Sequence, residues 1–339
     1  MQRLAVTLVT LWTVCCSVVW PAQAAPDRLP TPPYGPLRLV HQHPVQLLFL
    51  QPFPDKVEVT PPGRLDVHLN TALTNTLVEQ QQVVTATLDL EMVRSVIDLH
   101  YGAHPHLEVG LDIPLAYTYS GILDDFILSV ERLLTPGRER SVRRREVPGT
   151  FTYQVARGER PFIQGQDNAL GLGDMVLKAK VQLLREQERL PAVGLRAALK
   201  VPSGDSTRAF GSGNFDGSLG LLLQKTVWRL TFHVNADVTV PGQAFDDVGL
   251  TLHPFFMGVL AIEFRLSQPL SLLLQLRGDT RPFRHTIPLL DKRIIETIVG
   301  LNWAVSRRVV LQAGLAEDQF NSACCSADVS FFLNLTGRM

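Results

Sequence analysis

Two groups of residues have the types that hydrolytic chemistry uses: His100, His104 and His106 in one short stretch, and Ser203, Asp205 and Ser206 in another. A hydrolase needs base, nucleophile and oxyanion donors within hydrogen-bond reach. A second pattern is electrostatic. The acids Asp66, Asp89, Glu91, Glu108 and Asp112 come first along the chain, then the bases Lys178, Lys180, Arg196 and Lys200, with Arg229 beyond them. Acids on one strand facing bases on the next would pair and fill a narrow interior. Alternatively, they would set a transverse field across a water-filled constriction, as charged rings do in selective pores. Arg138, Arg140, Arg143, Arg144 and Arg145 form a third group. Guanidinium forks suit the phosphates of lipopolysaccharide, although Glu139 and Glu146 in the same run also fit a plain solvated loop. No histidine partners stand at metal-ligand spacing, so neither a metal nor a cofactor is expected.

These groups must be positioned by strands. In residues 228–240, Trp228, Leu230, Phe232, Val234, Ala236, Val238 and Val240 alternate with Arg229, Thr231, His233, Asn235, Asp237 and Thr239. One face is apolar and the other polar, as in a strand whose two faces meet different solvents. The same two-sided pattern recurs in residues 107–117, 175–183, 193–201, 270–277 and 295–303. A soluble β-sandwich also alternates, but would vary between edge and central strands. Connections alternate between short and long, residues 74–82 being the first long one, as periplasmic turns and external loops do in outer-membrane barrels, and the segments number about twelve. Residues 151–166 read as a small hairpin inside the long loop 119–173; as two spanning strands they would raise the count to about fourteen. The two hydrolytic groups then fall at opposite ends of the barrel and cannot cooperate, so no enzymatic role is expected. Trp228, Trp303, Phe264 and Tyr101 near short turns, with Tyr117 and Tyr119 at the other end, predict aromatic girdles. In the long loop, Leu123, Phe126, Ile127, Val130 and Leu134 at helical spacing predict a short amphipathic helix.

The N-terminus supplies the route to the membrane. Arg3, an apolar stretch over residues 4–20 and Pro21-Ala22-Gln23-Ala24 match an export signal with cleavage after Ala24. Removing residues 1–24 leaves 31 of the 32 basic residues against 32 acidic ones, a net charge of −1, so nucleic acid is not an expected partner. The longest apolar run afterwards, residues 255–262, falls far short of the roughly 18–20 residues of a membrane helix. Cys15 and Cys16 leave with the signal, while Cys324 and Cys325 remain adjacent. A vicinal disulfide, an intermolecular bridge and two free thiols all stay open for them. Residues 25–63 are too rich in proline for a central strand or helix, and are expected to form a periplasmic lead-in or a segment tucked into the lumen. The barrel is placed at residues 64–335, with residues 336–339 as a C-terminal extension that departs from the terminal aromatic residue usual in such proteins.

Four stretches carry a resemblance. They are Tyr34-Gly35-Pro36-Leu37 with His41-Gln42-His43-Pro44; residues 119–126, beginning Tyr119-Ser120-Gly121; Gly171-Leu172-Gly173-Asp174; and residues 200–205 with residues 211–216. The chain resembles a family of proteobacterial outer-membrane proteins defined as a domain of unknown function, and the likeness covers most of the mature chain. The last two stretches are also similar to barrels encoded beside phenol meta-cleavage pathways, which are thought to serve hydrophobic solutes. The resemblance implies an all-β, antiparallel transmembrane barrel in the outer membrane. Its partners would be membrane lipid, lipopolysaccharide, the barrel-assembly machinery and a small solute. The expected function is a pore or passive channel, narrowed by the long loop or the Pro-rich N-terminus; the alternatives are a filled structural barrel without transport and a soluble periplasmic β-protein.

Overall fold

The computed structural model describes residues 32–121, 150–284, 286, 288–318 and 329–339. Residues 1–24, read as an export signal, the helix-spaced residues 123–134, the arginines 138–145 and the Cys324–Cys325 pair lie outside the described residues.

Strands β1 (Leu65–Gln81), β2 (Val84–His104) and β3 (Leu107–Tyr119) are followed by three short ones, β4 (Thr152–Arg157), β5 (Arg160–Gln164) and β6 (Ala169–Leu172). Nine more come after: β7 (Met175–Leu184), β8 (Ala192–Val201), β9 (Asp216–Val227), β10 (Leu230–Val240), β11 (Phe255–Arg265), β12 (Leu270–Asp279), β13 (Ile294–Ala304), β14 (Val309–Asp318) and β15 (Val329–Arg338). Every pairing is antiparallel, and the ring closes because β2 pairs with both β1 and β3 while β1 pairs with β15. The wall therefore has twelve strands, with β4 to β6 outside it. The β4–β5 hairpin extends the outer end of β2, and β6 pairs with the outer end of β3.

The wall is apolar outside and polar inside, the reverse of a soluble sandwich. On β10, Thr231, His233, Asn235, Asp237 and Thr239 are buried inward, and the alternate residues face out. Leu195, Leu199, Leu219, Leu260, Leu274 and Val299 are exposed on the outer surface. Only lipid covers such a belt without cost. Tyr101, Trp228 and Trp303 stand exposed at the ends with short turns, while Tyr117 and Tyr119 stack at the other end with ring centroids 5.4 Å apart.

Two boundaries differ from the sequence reading. The segment 74–82, expected as a long external loop, is strand as far as Gln81: β1 and β2 stay in unbroken register from Leu65↔Tyr101 to Gln81↔Thr85. Their ends project beyond the membrane, which is possible because Val84, Ala86, Leu88 and Leu90 turn inward onto a buried apolar cluster with Tyr153, Val155 and Phe255. At the other terminus, Thr336, Gly337 and Arg338 are not an extension but rungs of β15, paired with His68, Val67 and Asp66.

Residues 32–62 lie inside the barrel. The segment starts at the inner rim, where the Tyr34 hydroxyl donates to the Gln268 carbonyl at 3.0 Å. It rises to an apex at the 3-10 turn Gln46–Leu48, and there Phe49 packs edge-on against Phe245, Phe255 and Phe283. It then returns to the inner rim beside Gly102, where a Cβ would lie 2.1 Å from the Pro61 carbonyl oxygen. Of the two placements expected for the Pro-rich segment, the lumen is the one observed.

Candidate functional site

Prolines and irregular dihedrals keep residues 32–62 from joining a ladder, yet buried backbone groups must find partners. Inward side chains of the wall supply them. Glu263 accepts from the Tyr34 and Gly35 amides at 3.0 and 3.2 Å. Gln275 accepts from the Leu37 amide at 3.0 Å and donates to the Leu37 carbonyl at 3.2 Å. Gln312 spans the Arg38 amide and the Pro36 carbonyl, at 3.2 and 3.1 Å. Asn302 and Asn334 donate to the carbonyls of Gly35 and Arg38, at 3.0 and 2.9 Å. On the returning limb, Asn235 brackets Asp55, and Glu108 accepts from the Thr60 amide at 2.7 Å. Apart from one isolated bridge between Pro62 and Gly102, no described residue of the segment joins a ladder of the wall.

A second set of contacts is ionic. Asp98 and His100 of β2, Glu108 and Asp112 of β3 and Lys178 and Lys180 of β7 converge on Arg38 and Asp55 of the lumenal segment. Arg38 pairs with Asp98, and with Asp55 at 3.2 Å. Lys178 bridges Asp98 and Asp112, the latter at 2.6 Å. Lys180 lies 2.7 Å from Asp55 and 3.2 Å from Glu108. His100 sits between Asp98 and Glu108, at 2.8 and 2.6 Å. Acids of the third strand thus pair with bases of the following wall strand, the pairing arrangement among the two the sequence allowed. Oxygen and nitrogen donors of Asp55, His100 and Glu108 gather within 4.8 Å, a grouping that linear spacing did not disclose. The Lys180 ammonium already stands against two of them.

At the outer end the recurring motifs form one knot. Asp174, from Gly171-Leu172-Gly173-Asp174, accepts from the amides of Gly204 and Ser212 at 2.9 and 3.0 Å. Lys200 pairs with Asp174 and Asp216 at 3.3 and 2.9 Å, and donates to the Leu48 carbonyl. Asp216 in turn accepts from the Leu50 amide at 2.8 Å and from the amide of Gly242, in the β10–β11 connection, at 3.0 Å. Three external connections and the apex of the lumenal segment are fastened there. Close by, His41 and His43 are held well below the ordinary histidine range by burial and by the charge of Arg281.

The inward charges expected from sequence divide three ways. Asp66, Glu108, Asp112, Lys178, Lys180, Arg196 and Lys200 do face the interior, and Arg196 pairs with Asp237 at 2.6 Å. Asp89 and Glu91 do not. They share the parity of the outward residues Ile97 and Leu99 on β2 and stand near the outer end of the strand, Asp89 half-buried and Glu91 fully covered; Thr150 donates to Asp89 at 2.6 Å, and Asn75 to Glu91 at 3.5 Å. Arg229 is not lumenal either. It occupies the β9–β10 turn, exposed, with its guanidinium 5.4 Å from the Trp228 ring. Sequence reasoning missed Arg38, Asp55 and the amides Gln275, Asn302, Gln312 and Asn334. For the amides the signal was present as polar alternates in apolar strands; for Arg38 and Asp55 there was none. His104 and His106 lie at the β2–β3 turn, and Ser203, Asp205 and Ser206 lie beyond the outer end of β8, so these two groups are not brought together.

Among the described residues the interior is closely filled: cavities measure about 60 Å³ beside Phe53, Arg94 and Tyr153 and about 30 Å³ each beside the Asp55 cluster and beside His68, and a more open one of about 270 Å³ lies at the outer end between Leu48, Phe162 and Phe245.

Among solved structures, the COG4313 outer membrane channel from Pseudomonas putida F1 is similar, with 13% identity and a TM-score of 0.58 over 85% of this chain and 100% of that one. The toluene transporter TbuX of Ralstonia pickettii aligns at 8% identity and a TM-score of 0.39, over 83% of this chain and 90% of its own. The first likeness supports the outer-membrane barrel fold. No curated protein matches the chain. The model of the family described as "Protein of unknown function (DUF3187)" matches residues 7–339, and the chain belongs to that family.

Proposed function

We propose that this protein is a passive outer-membrane channel for a small solute, closed at rest by its own N-terminal segment. The observation that carries the reading is that the occluding element is not part of the wall. Residues 32–62 enter and leave at the same inner rim and are held by side-chain hydrogen bonds, ion pairs and apolar packing rather than by ladder bonds, so they can withdraw toward the periplasm without opening the ladder. The similar structure from Pseudomonas putida is described as a channel, which accords with this reading and with a non-enzymatic role. Export with cleavage after Ala24, delivery to the barrel-assembly machinery, and phosphate contacts from Arg138, Arg140, Arg143, Arg144 and Arg145 to lipopolysaccharide belong to the same proposal.

A filled barrel without transport is the second reading, favoured by the dense pairing around Asp98 and the small cavities. Liposome swelling with sugars, nucleosides and aromatic acids separates the two. The channel reading expects uptake of at least one class; no uptake of any, by protein shown to be inserted, favours the filled barrel.

A further inference from the structure

One inward cation is left out of the network described above. Arg94 of β2 shares the parity of Asp98 and His100, yet among the described residues its guanidinium forms no hydrogen bond or ion pair. Asp112, which lines the same cavity, is taken by Lys178 at 2.6 Å, and Asp174 by Lys200 and two backbone amides. What Arg94 does face is the ring of Phe53, 6.0 Å from the guanidinium carbon. Leu47, Met92, Pro114 and Phe210 give the cavity apolar walls, while Gln51, Thr118 and Lys200, the last already paired, add polar groups to its lining. It also holds a second polar group without a partner, the buried hydroxyl of Tyr153.

An unpaired charge in a confined interior is costly, and such groups in a pocket set what it accepts. We infer that the cavity at Arg94 is a binding site for a small aromatic carboxylate, whose carboxylate pairs with the guanidinium and whose ring takes the place of Phe53. The planar guanidinium offers a carboxylate two parallel hydrogen bonds. A neutral arene would fill the apolar walls but leave the cation unpaired. Phosphate would meet the cation but strand most of its oxygens against carbon. The cavity holds about 60 Å³, whereas a benzene ring needs one of roughly 150 Å³. Binding therefore requires Phe53 to move, and Phe53 belongs to the lumenal segment. On the channel reading, from which this inference takes its context, the ligand competes with the plug for the same space.

The test is titration calorimetry on the full protein in detergent micelles, with benzoate, toluene and inorganic phosphate as probes, on the parent and on Arg94→Gln and Phe53→Ala variants that retain heat-modifiable migration. Benzoate is expected to bind the parent, at least tenfold more weakly to Arg94→Gln and more tightly to Phe53→Ala; phosphate is expected not to bind. Toluene binding is expected to be weaker than benzoate binding and indifferent to Arg94→Gln. Equal benzoate affinity in the parent and Arg94→Gln, or no benzoate binding by either the parent or Phe53→Ala, overturns the inference. Benzoate binding by protein whose liposomes take up none of the solutes, benzoate included, would instead remove the channel reading and leave the site standing.

Discussion

The wall and the segment it encloses satisfy the same requirement in opposite ways. Backbone groups of the wall pair with each other around a closed ring, and hydrocarbon outside leaves them no alternative. Backbone groups of residues 32–62 pair with single side chains, each such bond worth about 0.5–1.5 kcal/mol net and replaceable by water. The wall should therefore fail as a unit, whereas the plug should loosen by degrees, and substitutions can be chosen to pull the two apart.

The largest effect is expected from Lys180→Met, which removes the cation that Asp55 and Glu108 share and leaves Arg38 and His100 as their remaining partners. Removing one partner of a buried pair costs about 3–5 kcal/mol. Because Asp55 belongs to the plug, hydrogen exchange should rise across residues 32–62 while the wall amides stay protected; uniform exposure of both would erase the distinction.

Next comes the wall. Ile97 points outward between Tyr101 at the inner girdle and Val93, which pairs with Tyr117 at the outer one. Ile97→Arg is expected to lower stability in denaturant titrations by about 2–4 kcal/mol, the cost of a cation near the bilayer midplane. Thr87→Arg, on the same face of the same strand but above the girdle, should stay within about 0.5 kcal/mol of the parent. Equal costs at the two positions would mean that the membrane boundary on β2 is misplaced.

A smaller change is expected from Gln275→Leu, which removes both tethers at Leu37. Leaving a buried amide and carbonyl unpaired costs about 1–3 kcal/mol, read as faster exchange confined to the rising limb of the plug.

The wall was legible because alternation of period two is set locally, residue by residue, as in β10. The β4–β5 hairpin and the twelve-strand count followed from arm length. Where the reading failed, the solvent had changed along a strand. Through β2, even residues point inward throughout, but they are Ala86, Leu88 and Leu90 above the girdle and Asp98 and His100 below it. Polarity inverts while geometry does not, so Asp89 and Glu91 looked lumenal and are not. The plug was legible only as something other than strand: proline excludes Arg38 and Asp55 from regular elements without saying what they meet. Their ionic partners in the wall lie on β2 and β7, contacts of long range that no local spacing encodes. The recurring Gly-Asp motifs were readable as turns, but their union around Lys200 required the closed barrel.

Single-channel recording in planar bilayers, comparing the full chain with a variant lacking residues 32–60, tests the central claim most directly. If the N-terminal segment is a removable plug in an otherwise continuous pore, the deletion variant gives stable, large conductance where the full chain gives rare, brief openings. A deletion variant that inserts, migrates as an intact barrel and conducts no more than the full chain would contradict it.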